Sequence, residues 1–515
     1  MEHHLQLRQD TLGNLISRSA RRNGAAPALL ENGRSMSYGQ LDEDSNRFAN
    51  YLLASGLLPG DKVAMLSPNS MEFLVAAFGI LKAGMVWVPV NAMLSPTEVA
   101  YIVRHAEARL LVADAQLAAA PAWSAALPAL GVPLLRCAAA DEEGTLARAL
   151  HGQAATAPAL AIDEQALALI MYTSGTTGNP KGAMHSHRSV LAAVMSNAVT
   201  VSIVPQDVVS AILPLFHCAQ FSMAAAGLAC GAALSISRGF DPAAVLATLA
   251  RDRVTLMAAL PAMYGAMLMH PARSAHDLSA LRLAIYAMAP MAPELLRRLM
   301  QEFCPRFALG SGQTEMFPMT VYFPPQQQLQ RSGNCWGQST PANDTAIMDP
   351  DGRLLERGEV GEIVHQGPNA MLGYFKDPEA TAAASRFGWH HTGDLGMWDE
   401  DGFLHFKGRL KDMIKTGGEN VPAIRVKEAL LGHPAVAVAA VVGLPHSEWI
   451  EAVTAFVCLK PGQPADADAL REHCRSMLAG FEVPKHIAIV DSLPMTSTGK
   501  IQKHVLRINH QGLYS

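Results

Sequence analysis

The stretch Tyr172–Gly182, YTSGTTGNPKG, follows the apolar run ALALIM and limits more than any other segment what this chain can fold into. Four hydroxyl residues (Thr173, Ser174, Thr176, Thr177) and two glycines (Gly175, Gly178) stand ahead of a single lysine, Lys181. An apolar strand running into a Gly/Ser/Thr loop presents backbone N–H groups and hydroxyls to phosphate oxygens. Glycine permits close backbone approach and Lys181 adds a point charge, while Pro180 stiffens the exit. The Walker pattern G-x-x-x-x-G-K-S/T does not fit, because Lys181 lies between Pro180 and Gly182. The dinucleotide fingerprint G-x-G-x-x-G fails too, since Thr173 stands where its first glycine belongs.

At 515 residues the chain is too long for one ordinary core, so at least two domains are expected. Half of it is hydrophobic and 17% is charged, which describes a soluble globular protein. A net charge of −5 without a basic run excludes nucleic acid as an expected partner. The seven cysteines form no C-x-x-C, which suits reduced thiols in a cytoplasmic setting rather than a disulfide frame or zinc site. Met1–Asp10 is polar and carries no hydrophobic signal segment. Val208–Ser237 has no Asp, Glu, Lys or Arg, yet it contains Pro214, His217 and Gln220 and is rich in Ala and Gly. It reads as buried strand, loop and helix rather than a membrane span, with peripheral membrane contact left open.

Residue spacing predicts helices at Gly39–Leu53 and Ser70–Ala83 and strands at Asp61–Leu66 and Met85–Val90. From Leu167 to about Arg306 the order is strand, phosphate loop, helix, then strands at 208–213, 254–258 and 282–286. Such alternation implies parallel sheets with helical crossovers. From about Gly337 short strands with close turns follow (DTAIMDPDG, GEVGEIVHQG, GFLHFKGR), which predict a small β subdomain. After Arg409 come two strands, AVAVAAVVGLP and AVTAFVCLKPG, and a helix at Asp466–Leu478. The expected fold class is α/β: a large body of parallel-type αβαβα layers over 1–408, with a β subdomain at about 337–408. A small, mobile α+β domain over 409–515 completes it.

The loop resembles the signature of the adenylate-forming superfamily, which includes acyl-CoA synthetases, nonribosomal adenylation domains and firefly-type luciferases. Further matches occur in family order along nearly the whole chain. SGQTE at 311–315 is similar to the family's aromatic-G-x-T-E segment, which implies that Thr314 contacts nucleotide phosphate and Glu315 holds Mg2+. One carboxylate plus substrate phosphates is the usual magnesium arrangement. Ser311, beside Gly310 and Gly312, replaces the usual aromatic, so stacking on adenine from that position is lost. WHHTGDLG at 389–396 resembles the T-G-D segment, giving Asp394 the ribose hydroxyls. GRLKDMIKTGGENV at 408–421 resembles the interdomain segment. That resemblance implies a nucleotide contact from Arg409 and a hinge at Lys411. It further implies that Lys415 with Gly417–Gly418 shapes the second-step site and the pantetheine path. PMTSTGKIQK at 494–503 resembles the terminal lysine motif, making Lys500 the adenylation lysine. His217, in LPLFHCAQ, is similar to the residue that gates the acyl pocket. MSYGQLDED, GDKVAML, LKAGMVWVPVN and GYFKDPEAT match weaker elements of mainly architectural role.

The resemblance therefore implies ATP, Mg2+ and coenzyme A as co-substrates and cofactor, and a small-molecule carboxylic acid, aliphatic or arylaliphatic, as substrate; homodimer formation is left open. HSEWIEAVTAFV at 446–457 is most similar to the fatty-acyl and aryl-acid ligase branch. An enzyme loading a carrier protein, and a non-catalytic nucleotide-binding scaffold, are the competing readings. No carrier segment is evident after Lys500, and a scaffold would be expected to have lost a catalytic residue. Two departures bear on specificity. YAMAPM places Ala287 and Met288 where two glycines are usual, so Met288 either reshapes the acyl pocket or points into the core. PAIRVK places Arg425 and Lys427 near a helix start where acids are usual, which costs roughly a few tenths of a kcal/mol. Arg425 is expected either to contact CoA phosphates or the large domain, or to lie on a solvated face.

Overall fold

The computed structural model describes residues 10–140, 142–173, 180–287, 291–331, 334–495 and 501–514. They form two compact units. One comprises the chain through Thr345 together with His365–His390, and the other comprises Ala346–Val364 and the chain from His391 onward.

Two sheets build the first unit. In the seven-stranded sheet the order is Gly373–Tyr374, Lys181–Ser186, Leu167–Thr173, Val86–Val90, Lys62–Leu66, Ala108–Asp114, Leu134–Cys137. From Leu167–Thr173 onward the neighbours run parallel, as alternating strands and helices require. The other sheet runs in the order Cys335–Ser339, Val321–Phe323, Phe307–Ser311, Leu283–Tyr286, Leu256–Ala259, Val208–Ala211, Ala233–Ile236, Pro27–Glu31, Arg34–Ser37. Its centre is parallel, and the strands on either side of that centre pair antiparallel.

Helix starts follow ordinary capping chemistry. The Ser37 hydroxyl and the Gln40 side chain form a reciprocal capping box at Tyr38–Ala54, and Ser70 accepts the Phe73 N–H at Met71–Lys82. Met71–Lys82 is buried almost throughout, because it is apolar on every face. The fully buried Trp87 packs edge-on to Phe73 at 5.8 Å and against Phe221 at 4.7 Å. Those contacts anchor the helix Cys218–Cys230 to the sheet strand Val86–Val90. The uncharged run 208–237 is strand, loop, helix and strand, and no helix among the described residues is long and apolar enough to cross a membrane.

In the second unit, His390–Trp398 and Leu404–Arg409 pair antiparallel. A further sheet runs Glu419–Pro422, Met413–Thr416, Ile450–Leu459, Val436–His446, with His486–Ile489 parallel to Ile450–Leu459. The helices Ala423–Leu431 and Ala467–Arg475 cover one face of it, around Val426, Leu430, Val441, Val453, Val457 and Leu470.

Candidate active site

The phosphate loop does not open onto a helix. Leu167–Thr173 and Lys181–Ser186 are antiparallel, with Thr173 opposite Lys181, and the helix His187–Thr200 begins only after the second strand. The expected strand–loop–helix order is thereby corrected to a hairpin connection. The next helix in sequence is thus separated from the loop by a whole strand. Ser174, Gly175, Thr176, Thr177 and Gly178 lie outside the described residues. The Thr173 hydroxyl donates to the Lys181 carbonyl at 3.4 Å. Lys181 Nζ lies 3.8 Å from Asp377 and 5.1 Å above the centre of the Tyr374 ring.

Thr314–Met316 is a single 3-10 turn that follows the strand Phe307–Ser311. Close approach favours glycine on both sides of Ser311, most strictly at Gly312, which faces backbone atoms of Pro318 and Thr320. A Cβ at Gly310 would overlap the Met319 sulfur, and one at Gly312 would lie 2.7 Å from Pro318 Cβ. The turn is then held on all sides. His185 Nε2 donates to the Thr314 carbonyl at 2.8 Å, the Met371 N–H to the Glu315 carbonyl at 2.8 Å, and Asn369 to the Met316 carbonyl at 2.7 Å. The Tyr374 hydroxyl donates to Glu315 Oε1 at 2.8 Å. Burial, with Glu315 beside it, raises the Tyr374 phenol well above its ordinary pKa, so it is a donor at neutral pH.

Cys218 Sγ lies 3.5 Å from the Thr314 hydroxyl, which puts the start of helix Cys218–Cys230 against this turn. His217 caps that helix: its Nδ1 accepts the Ala219 N–H at 3.2 Å, leaving the ring proton on Nε2. The loop before it is fixed by buried Asn69, which donates to Leu213 O at 2.9 Å and accepts the Leu215 N–H at 2.7 Å. Thr314, Glu315 and His217 are thus brought together, with Cys218 and His185 as neighbours that the sequence patterns did not single out. Ala287 follows the strand Leu283–Tyr286; Met288 lies outside the described residues.

Burial drives the pKa of His185 and His187 down to about 4 and that of His365 to about 3. All three are neutral in the fold, while an unfolded histidine titrates near 6.5. Their contribution is therefore fully present above about pH 6.5 and is lost as pH falls toward 4, at on the order of 1 kcal/mol per histidine per pH unit. The midpoint of thermal unfolding is expected to drop by several degrees between pH 7.5 and pH 5.5. A flat midpoint over that range would contradict this account.

In the second unit, Asp394 is 5% exposed and sits opposite Arg409 across paired strands, with Arg409 Nε 2.9 Å from its Oδ1. The preceding turn hangs on Glu362, which accepts from His391 Nδ1 at 2.7 Å and from the Gly393 N–H at 2.9 Å. Lys411 lies in the 3-10 turn Leu410–Asp412. Asp412 binds Lys503 at 2.8 Å and Arg507 at 3.3 Å, which fixes that turn to the terminal helix Lys503–His510. Lys415 is exposed on the strand Met413–Thr416. Gly417 (φ 58°) and Gly418 (φ 87°) form the two-residue turn to Glu419–Pro422, a hairpin that requires positive φ at both positions. Lys500 lies outside the described residues, but its flanks are closed: Met495 bridges Ile501, and the Gln502 N–H donates to the Pro494 carbonyl at 2.8 Å.

Arg425 is 59% exposed, as expected of a solvated face. Its Nε lies 3.2 Å from Glu482, whose side chain is 4% exposed, so it neutralises a buried carboxylate of its own unit. That ion pair offsets the small dipole cost of a cation in a first helical turn. Lys427 is half-buried, and burial with Lys503 nearby lowers its pKa.

Residues 16–375 match the AMP-binding enzyme family, and residues 425–500 match the AMP-binding enzyme C-terminal domain. The chain belongs to this family of adenylate-forming enzymes. Within it, the chain stands with the acid–thiol ligases, the acyl-CoA synthetases. It is 36% identical over 502 residues to feruloyl-CoA synthase of Amycolatopsis sp., covering 97% of this chain and 99% of that one. It is 34% identical over 481 residues to the long-chain-fatty-acid–CoA ligase FadD13 of Mycobacterium tuberculosis, covering 92% of each. ATP-bound MatB from Rhodopseudomonas palustris superposes with a TM-score of 0.87 at 30% identity, over 98% of this chain and 100% of that one.

Proposed function

We propose that this chain is an AMP-forming acyl-CoA synthetase that converts a carboxylic acid, ATP and coenzyme A to acyl-CoA, AMP and pyrophosphate. The observation that carries the reading is the Thr314–Glu315 turn, held by four hydrogen bonds in a chain of this family. In the first step a carboxylate oxygen attacks the α-phosphorus and the bond to pyrophosphate breaks, giving an acyl-adenylate. No general base is needed, because the acid is already ionised at neutral pH. Lys181 and the loop at Thr173 hold the departing pyrophosphate, Thr314 binds phosphate, and Lys500 offsets the charge of two approaching anions.

Glu315 is the residue that would hold Mg2+. Among the described residues no group of three or more His, Cys, Asp and Glu could cage a metal, and one carboxylate with substrate phosphates would suit magnesium. When bound, the ion neutralises charge on the phosphates. Asp394 and Arg409 serve the nucleotide ribose and phosphate. In the second step the CoA sulfur attacks the acyl carbon, the C–O bond to AMP breaks, and the thiol proton passes to solvent. A rotation about Lys411 would exchange the Lys500 face for the face carrying Lys415 and Gly417–Gly418. His217, Ala287, Met288 and Gly310 line the acyl pocket in this reading, and the cytoplasm is the expected compartment.

A pyrophosphate-release screen over aliphatic and arylaliphatic acids, with and without CoA, tests the proposal. CoA-dependent AMP production is expected. Pyrophosphate release that leaves a stable adenylate and no thioester would move the assignment to an enzyme with another acceptor, and silence across the panel would refute it.

A further inference from the structure

We infer that Tyr374 is a positioning residue that keeps Glu315 and Lys181 at a fixed separation, its hydroxyl on the carboxylate and its ring under the ammonium. The inference rests on the reading above, in which Glu315 holds the metal and Lys181 the pyrophosphate. Tyr374 belongs to the short segment 369–375, which lies between the two elements and bonds to both. On one side Asn369 donates to Met316 O and the Met371 N–H to Glu315 O, at 2.7 and 2.8 Å. On the other, the Leu372 N–H donates to Met184 O and the Phe375 N–H to Gly182 O, both at 2.8 Å. The latter acceptors sit on the strand that begins with Lys181. Thr381 Oγ1 accepts the Tyr374 N–H at 2.8 Å, which fixes the backbone of the residue itself.

Only at Tyr374 does this bridge act through a side chain that touches both functional groups. An ionised carboxylate accepts only, so the 2.8 Å contact makes the phenol the donor. The bond engages one lone pair of Oε1 and restrains rotation of the carboxylate, leaving Oε2 open to a cation. The same ring carries Lys181 Nζ on its face at 5.1 Å, and Asp377 draws that ammonium from 3.8 Å. Outer partners that orient a ligating carboxylate commonly govern metal affinity in this manner.

The test uses the full-length protein with α,β-methylene-ATP and Mn2+, the free ion being read by electron paramagnetic resonance. Tyr374→Phe keeps the ring under Lys181 and removes only the donor. It is expected to weaken Mn2+ binding by about tenfold while nucleotide affinity without metal stays within twofold. Tyr374→Leu removes both contacts and is expected to weaken metal-free nucleotide binding as well. Should the phenylalanine variant fail to fold, Thr381→Val loosens the tyrosine backbone and is expected to weaken Mn2+ binding by a smaller factor. Unchanged Mn2+ affinity in whichever of these variants folds would overturn the inference. Glu315→Gln separates the two claims: if it too leaves Mn2+ binding unchanged, the metal reading of Glu315 falls. If it alone weakens binding, only the role of Tyr374 falls.

Discussion

Replacing Lys500 by alanine is expected to slow acyl-adenylate formation by about 10²–10³-fold, the usual cost of removing one charge-stabilising donor from a transition state. Thioester formation from a supplied acyl-adenylate should stay within about twofold of the parent, because the second step brings no new anion to the phosphate. Lys181→Ala should behave differently. Its ammonium is 40% exposed and shares its charge with Asp377 and the Tyr374 face, so its loss should raise the ATP KM roughly tenfold. Measuring the half-reactions separately distinguishes the two lysines. Equal damage to both half-reactions in the Lys500 variant would remove it from the adenylation step. The Met495–Ile501 bridge is made by backbone groups, so truncating the Lys500 side chain removes none of its hydrogen bonds.

Which parts of this molecule could be read from the residue string depends on how locally each is determined. Met71–Lys82 was legible because Ser70 caps it, Glu72 suits its first turn and its apolar character runs unbroken from Phe73 to Leu81. Val86–Val90 was legible because a fully buried parallel strand is a short apolar run between turn signals. The hairpin at the phosphate loop was not. Its second strand, KGAMHS, has no β-branched residue and no alternation, and it is a strand because Leu167–Thr173 pairs with it. Local pattern reports propensity; this strand is a tertiary fact.

The same distinction runs through the site. Resemblance to family segments singled out Thr314, Glu315 and Asp394, since such segments are defined by neighbouring residues. The partners that hold them come from far along the chain: Tyr374 lies 59 residues from Glu315, His185 lies 129 from Thr314, and Glu362 lies 31 from Gly393. GYFKDPEAT matches an element of mainly architectural role, but nothing local to it tells which carboxylate its tyrosine meets. Arg425 teaches the converse. A cation at a helix start looks misplaced only while Glu482, buried and needing a counter-charge, is out of view.

Asp394→Asn is expected to injure both half-reactions alike, and therein lies its value beside Lys500. The ribose stays attached to the reacting centre through both steps, so a group that binds its hydroxyls contributes to both transition states. The asparagine keeps the shape and one acceptor but surrenders the charge that strengthens two hydrogen bonds. At about 1.5 kcal/mol or more for each bond to a charged group, kcat/KM for ATP should fall roughly 10²-fold. Thioester formation from a subsaturating supplied adenylate should fall by a similar factor. Stability should change little, because the Arg409 side chain left without its partner is 49% exposed and is solvated by water. The Gly393 turn should also hold, since it hangs on Glu362 and the Thr392 hydroxyl, which donates to Ile363 O at 2.6 Å. A loss confined to adenylation would detach Asp394 from the ribose and place it beside the phosphates instead.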